Sequence, residues 1–110
     1  MPTIQELFSL KDKVAIVTGG AGHLGTAISE ALAEAGANVV VASRNVENCK
    51  ALAKRLSQNY AKAIGLKLDV NSEESIFKLL EETISEFGRL DILFNNGKYS
   101  VNPVRNPPKG

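Results

Sequence analysis

The sequence predicts an α/β fold with a doubly wound parallel sheet, cut down to about four strands and three helices. Two observations carry this. Short apolar runs alternate with amphipathic segments along most of the chain, in the order β-α-β-α-β-α-β. The first apolar run also ends in a glycine-rich stretch, "TGGAGHLG" (residues 18–25), that opens directly onto an amphipathic segment.

Each element has its own signal. "VAIVTG" (residues 14–19) is a continuous apolar, β-branched run ending in glycine, as expected of a strand buried on both faces. Leu24, Ala27, Ile28, Ala31, Leu32 and Ala35 follow at helical spacing and predict one apolar helix face, which Gly36 stops. "NVVVA" (residues 38–42) is the second strand. Cys49, Leu52, Ala53, Leu56 and Tyr60 mark a second helical face. "AIGLKLD" (residues 63–69) is a weaker third strand, interrupted by Gly65 and Lys67. A third helix runs from Asn71, which pairs with Glu74 as a cap, through the apolar face Ile76, Phe77, Leu80, Ile84 and Phe87 to Gly88. "LDILFN" (residues 90–95) is the fourth strand. Right-handed crossovers then favour the strand order 3-2-1-4, with the first two of these helices on one face and the third on the other.

Residues 1–95 read as one partial domain. After Asn95 the composition changes. "NGKYSVNPVRNPPKG" (residues 96–110) holds three of the four prolines, no acid, and three basic residues, and shows no strand or helix period. It is expected to be an irregular, Pro-rich tail, with Lys98, Arg105 and Lys109 as solvated charges.

Bulk properties narrow the function classes. At 110 residues there is room for one domain. A net charge of +1 gives no electrostatic case for nucleic acid or an anionic membrane as the main partner. No apolar run approaches the ~20 residues a membrane span needs, and the N-terminus does not resemble a signal peptide. A single cysteine, Cys49, fits a reducing compartment, so a cytoplasmic location is expected. One histidine makes a histidine-based metal site improbable on count alone.

The glycine-rich stretch carries the chemistry. Gly20, Gly22 and Gly25 fit G-x-G-x-x-G between a strand and a helix, the context that makes this pattern informative. A helix N-terminus presents unpaired N–H groups and partial positive charge, and a pyrophosphate can satisfy both where no side chain blocks its approach. Gly25 also allows close packing of the helix on the first strand. His23 either donates toward a phosphate or, as the preferred reading, is a tolerated first-turn residue with a solvated ring. After the second strand, where NAD-binding domains usually place an acid, stand Ser43 and Arg44. The Arg44 guanidinium suits a 2′-phosphate, which favours NADP, with NAD as the alternative. A solvated arginine at a strand end is the competing account.

"TGGAGHLG", "ASRN" (residues 42–45), "LDV" (residues 68–70) and "DILFNN" (residues 91–96), in this order and spacing, resemble the short-chain dehydrogenase/reductase family. The resemblance spans Lys13 to about Asn96 and implies a Rossmann-type dinucleotide fold. By position it implies that Gly19, Gly22, Leu24 and Gly25 line the pyrophosphate and that Ser43 and Arg44 meet the adenosine 2′ position. It further implies that Asp69 and Val70 flank the adenine and that Asn96 contacts the cofactor ribose region. Asp69 also has a simpler reading, as the start of the turn into the third helix. Gly19, Gly22 and Gly25 match the T-G-x-x-G-x-x-G spacing of the family's extended branch. "DILFNN", and the lack of an acid near Ser43, favour the shorter branch. "NNGKYS" departs from the family's N-N-A-G.

The family's chemistry rests on a serine and a Tyr-x-x-x-Lys pair. Neither tyrosine fits: Ile64 lies four after Tyr60, and Pro103 four after Tyr99. No catalytic and no metal-binding residue is assigned. The chain is therefore expected to be a truncated member that retains the cofactor-binding half and is inactive alone. The abrupt change after Asn95 is read as an interruption of the frame or of the natural chain. The fourth strand is expected to keep an open outer edge, a hazard for self-association. A non-catalytic NADP-binding or interaction module is the other functional reading.

Overall fold

A computed structural model describes residues 3–19 and 21–96. Gly20, Tyr99 and the tail charges Lys98, Arg105 and Lys109 lie outside the described residues.

The elements are α1 (Ile4–Leu7), β1 (Val14–Thr18), α2 (His23–Glu34), β2 (Asn38–Ser43), α3 (Val46–Asn59), β3 (Ala63–Lys67), α4 (Glu73–Phe87) and β4 (Ile92–Asn95). The strands form one parallel sheet in the order β3-β2-β1-β4. That is the order expected from right-handed crossovers. The short α1 was not anticipated. Its signal is Thr3 with Glu6 three residues on, where the Thr3 hydroxyl accepts from the Glu6 N–H at 3.1 Å.

Strand side chains alternate between two cores. Val17, Val39 and Val41 pack with α2 and α3, through Ala33, Cys49, Leu52 and Leu56. Ile16, Val40 and Ala42 pack with α4 through Leu79, and with Leu68. β1 and the middle of β2 are buried on both sides, which explains their unbroken apolar runs. β4 is not: Leu93 is 61% exposed and Phe94 38%.

Two helix faces differ from the sequence expectation, and in α3 the last expected position, Tyr60, falls past the helix end, where the backbone turns extended, and is exposed. In α2 the buried positions are Gly25, Ser29 and Ala33, while Ile28 and Leu32 are half-buried and Leu24, Ala27 and Ala31 are exposed. The helix sits on the sheet through its smallest residues, so the packing stripe is rotated from the one hydrophobicity marks. In α4 the buried pair is Leu79 and Thr83, with Leu80 and Phe87 half-buried; Phe77 and Ile84 face outward, and Ile76 is part-exposed at the mouth of a cavity against the sheet. The Thr83 hydroxyl is satisfied within the helix, donating to the Leu79 carbonyl at 2.8 Å.

The caps also differ. α4 starts one residue later than the Asn71–Glu74 pairing implied. Its cap is Ser72, whose hydroxyl accepts from Ser75 N–H at 3.1 Å. α3 begins at Val46 under an Asn45 cap that accepts from Asn48 N–H at 3.1 Å. Gly36 ends α2 at φ +105°, as expected of its position.

Asp91 ties the sheet's first strand to its last. Val14 N–H donates to Asp91 Oδ2 at 2.9 Å, and Arg89 grips the same carboxylate with two bonds, at 2.8 and 2.7 Å. The hydrogen bonds from Arg89, then the one from Val14, hold the Asp91 carboxyl below its ordinary range.

Candidate functional site

The parallel sheet brings the C-terminal ends of all four strands to one edge. The strand order reverses between β1 and β4, the place where open α/β sheets form a crevice.

The turn after β1 is built tightly. Gly19 takes φ +65°, a backbone state that side chains disfavour. Its N–H donates to the Ala42 carbonyl at 2.8 Å, fixing the turn to the end of β2. Gly22 is the N-cap of α2, and its N–H reaches back to the Gly19 carbonyl at 3.3 Å. No side chain caps this helix. Its first N–H groups therefore face outward with the positive end of the helix dipole.

Gly22 is informative because the protein itself does not require it. Its φ of −79° suits any residue. Among the described residues, a Cβ there would meet only the Gly19 carbonyl oxygen, at an ordinary 3.7 Å. The missing side chain leaves the helix N-terminus open to approach, the shape a pyrophosphate needs. The chain's residues fit such a group here. Gly25 is buried under the first turn of α2, Leu24 is 61% exposed beside it, and His23 is exposed as the first helical residue.

On the other side of the turn, Asn96 and Thr18 brace it. Thr18 Oγ1 donates to Asn95 Oδ1 at 2.9 Å and accepts from Asn96 N–H at 3.1 Å. Asn96 Nδ2 donates to the Gly19 carbonyl at 3.5 Å. Thr18 and Asn95 are opposite one another in the β1–β4 register. Sequence reasoning missed both. They are 77 positions apart, and no local pattern marks such a pair.

Ser43, Arg44 and Asp69 form a second group at the ends of β2 and β3. Leu68 N–H donates to the Ser43 carbonyl at 2.9 Å, and Arg44 Nε lies 4.0 Å from Asp69 Oδ1. The Ser43 hydroxyl contacts the Cys49 sulfur at 3.0 Å. Burial pushes the Cys49 thiol up, against the lowering effect of its hydrogen bonds with Ser43. Asp69 N–H donates to Ser75 Oγ at 2.9 Å, and Asp69 Oδ1 accepts from Asn71 N–H at 3.0 Å. Val70 is half-buried against the α4-side core and lines a cavity of about 200 Å³ with Thr18, Leu68 and Asn95. Among the described residues, no helix is long and apolar enough to cross a membrane, and no group of three or more His, Cys, Asp or Glu side chains has metal-site geometry.

A four-stranded parallel sheet with helices on both faces and an uncapped glycine turn after its first strand defines a Rossmann-type α/β protein. A family profile described as short chain dehydrogenase matches residues 13–105, and the chain belongs to that family. Among its relatives are a peroxisomal 2,4-dienoyl-CoA reductase from Danio rerio, 40% identical over 79% of this chain and 29% of its own length. A 3-oxoacyl-[acyl-carrier-protein] reductase FabG from Aquifex aeolicus is 41% identical over 79% of this chain and 36% of its own. The structure superposes on a hydroxysteroid dehydrogenase from Escherichia coli with a TM-score of 0.75 and 32% identity, over 78% of this chain and 35% of that one. It also superposes on the RhlG/NADP active-site complex from Pseudomonas aeruginosa with a TM-score of 0.73 and 39% identity, over 84% and 37%. The chain thus spans 29% to 37% of the length of these four proteins.

Proposed function

We propose that this chain binds NADP(H) at the strand ends, as the cofactor-binding half of an alcohol/carbonyl oxidoreductase fold, and does not turn substrate over alone. The observation that carries the reading is the β1–α2 turn: Gly22 leaves the helix N-terminus uncapped, at a position where the described residues leave room for a side chain. The pyrophosphate would lie on the N–H groups that follow Gly22, with Gly19, Leu24 and Gly25 around it. The adenosine would extend toward Ser43, Arg44, Asp69 and Val70, and Asn96 would border the ribose nearer the nicotinamide. The cofactor would supply hydride chemistry. This chain's own residues would bind and orient it. The family membership and the NADP complex of the RhlG neighbour support the cofactor class.

Arg44 favours NADP over NAD, because its exposed guanidinium can grip a 2′-phosphate. Arg44→Asp is expected to weaken NADP more than NAD in calorimetric titration. Equal losses would make Arg44 a solvated charge. The purified, folded chain is expected to show no carbonyl reduction with NADPH over a broad substrate panel, and clear turnover would overturn the inactive-half reading.

Self-association is a second property of the proposal. Among the described residues the outer edge of β4 pairs with no strand, and Leu93 beside it is largely exposed. Sedimentation should show concentration-dependent assembly that Leu93→Lys suppresses. A monodisperse monomer at high concentration would remove this property.

A further inference from the structure

The ends of β2 and β3 are held in a fixed relation. Ser43 pairs with Lys67, and Leu68 N–H donates to the Ser43 carbonyl. The chain then delivers Arg44 from one strand and Asp69 from the other, with Nε and Oδ1 4.0 Å apart. The two partners are unequally restrained. Asp69 is anchored twice, by Asn71 N–H on its Oδ1 at 3.0 Å and by Ser75 Oγ on its backbone N–H at 2.9 Å. The Arg44 side chain is 72% exposed, and no second carboxylate lies within ion-pair distance of it among the described residues. An anchored carboxylate therefore stands beside an exposed guanidinium.

Resting on the nucleotide-binding reading above, we propose that Asp69 is a specificity-determining residue. By holding Arg44 and placing a negative charge beside it, Asp69 lowers the site's preference for a nucleotide phosphorylated on the ribose 2′-oxygen over one with a free 2′-hydroxyl. A 2′-phosphate is best held by both arms of the guanidinium fork, and drawing Arg44 into that grip breaks its contact with Asp69. The phosphate dianion also meets the Asp69 carboxylate as a like charge. A free hydroxyl meets neither opposition. Both groups are well exposed, so water and salt weaken the effect to several-fold rather than orders of magnitude.

The test titrates the full chain with adenosine 2′,5′-bisphosphate and with AMP, in wild type and in Asp69→Asn. The asparagine keeps an oxygen that can accept from Asn71 N–H, so the turn should survive. Asp69→Ser is the second variant, since a hydroxyl can accept from the residue two positions on. Both substitutions should raise the ratio of bisphosphate to AMP affinity about two- to fivefold. The gain should shrink in an Arg44→Ala background and at high salt. A ratio unchanged in both variants, or raised equally with and without Arg44, would overturn the proposal while leaving nucleotide binding in place. If the folded wild-type chain binds neither probe, the nucleotide-binding reading falls, and this inference with it.

Discussion

Replacing Gly65 by alanine should loosen the α3 side of the molecule by a route that local propensity does not anticipate. Gly65 lies in β3 directly beneath α3. A Cβ there would stand 2.5 Å from the Cys49 carbonyl carbon and the Lys50 nitrogen, and 2.7 Å from the Cys49 oxygen. These are backbone atoms, so no side chain can turn aside. To recover an ordinary contact beyond 3.4 Å, α3 must retreat by about 1 Å. That retreat opens the packing of Cys49, Leu52, Ala53 and Leu56 against the sheet. Overpacked cores typically lose about 1–3 kcal/mol, and a clash with helix backbone belongs at the upper end. At about 4–8 °C per kcal/mol for a domain of this size, Gly65→Ala should lower the melting temperature by roughly 10–20 °C. Strand propensity alone predicts a small gain, because alanine suits a strand better than glycine. Thermal melting by circular dichroism separates the two. A variant that melts within about 2 °C of wild type would refute the close-packing argument.

Ser29 is fully buried in α2, and among the described residues its hydroxyl has no hydrogen-bond partner. Ser29→Ala should therefore raise stability by about 1 kcal/mol or more, visible as a higher urea midpoint with an unchanged slope. For Asp91, the folded carboxyl titrates below its unfolded value. Its contribution is fully present above the unfolded carboxylate pKa, near 3.9, and is lost as pH falls through the lower folded value. Asp91→Asn should flatten that part of the acid-denaturation curve, and an unchanged acid limb would show that the Arg89–Asp91–Val14 link adds nothing. Cys49 is buried and its thiol is pushed up by burial, so thiol reagents should label it slowly in the native chain and rapidly in urea. Fast native labelling would contradict the packed α3 interface.

The strand order was legible because buried parallel strands write themselves as unbroken apolar runs, as in residues 14–19 and 38–42, and because crossover handedness leaves few topologies. The helix faces were legible only where hydrophobicity and packing agree. In α3 they do for Cys49, Leu52, Ala53 and Leu56, which are buried, but not for Tyr60, which falls just past the helix end and is exposed. In α2 they do not. Close approach to the sheet selects Gly25, Ser29 and Ala33, which a search for apolar bulk passes over. In α4 the outward Phe77 and Ile84 outweigh the buried Leu79 and Thr83 in any hydrophobic count. Gly65 looked like a weakness in β3, and the structure makes it the place where α3 comes closest. At the candidate site, the positions at the strand ends could be named from sequence, because the fold sends them to one edge. The contacts among them could not. Thr18 with Asn95, and Arg44 with Asp69, meet only through sheet register.

Whether the β1–α2 turn receives a phosphate decides the cofactor assignment. The direct measurement is calorimetric titration of the full chain with NADP, in wild type and in Gly22→Ala, with a thermal melt of each. Among the described residues the substitution meets no clash, and it costs about 1 kcal/mol through a poorer N-cap. The fold should survive while the added methyl group obstructs the open helix N-terminus. Wild type should bind NADP and Gly22→Ala should lose at least about tenfold in affinity, equivalent to about 1.4 kcal/mol, with both proteins folded. A folded wild-type chain that does not bind NADP, or a folded Gly22→Ala variant that binds it equally well, would contradict that assignment.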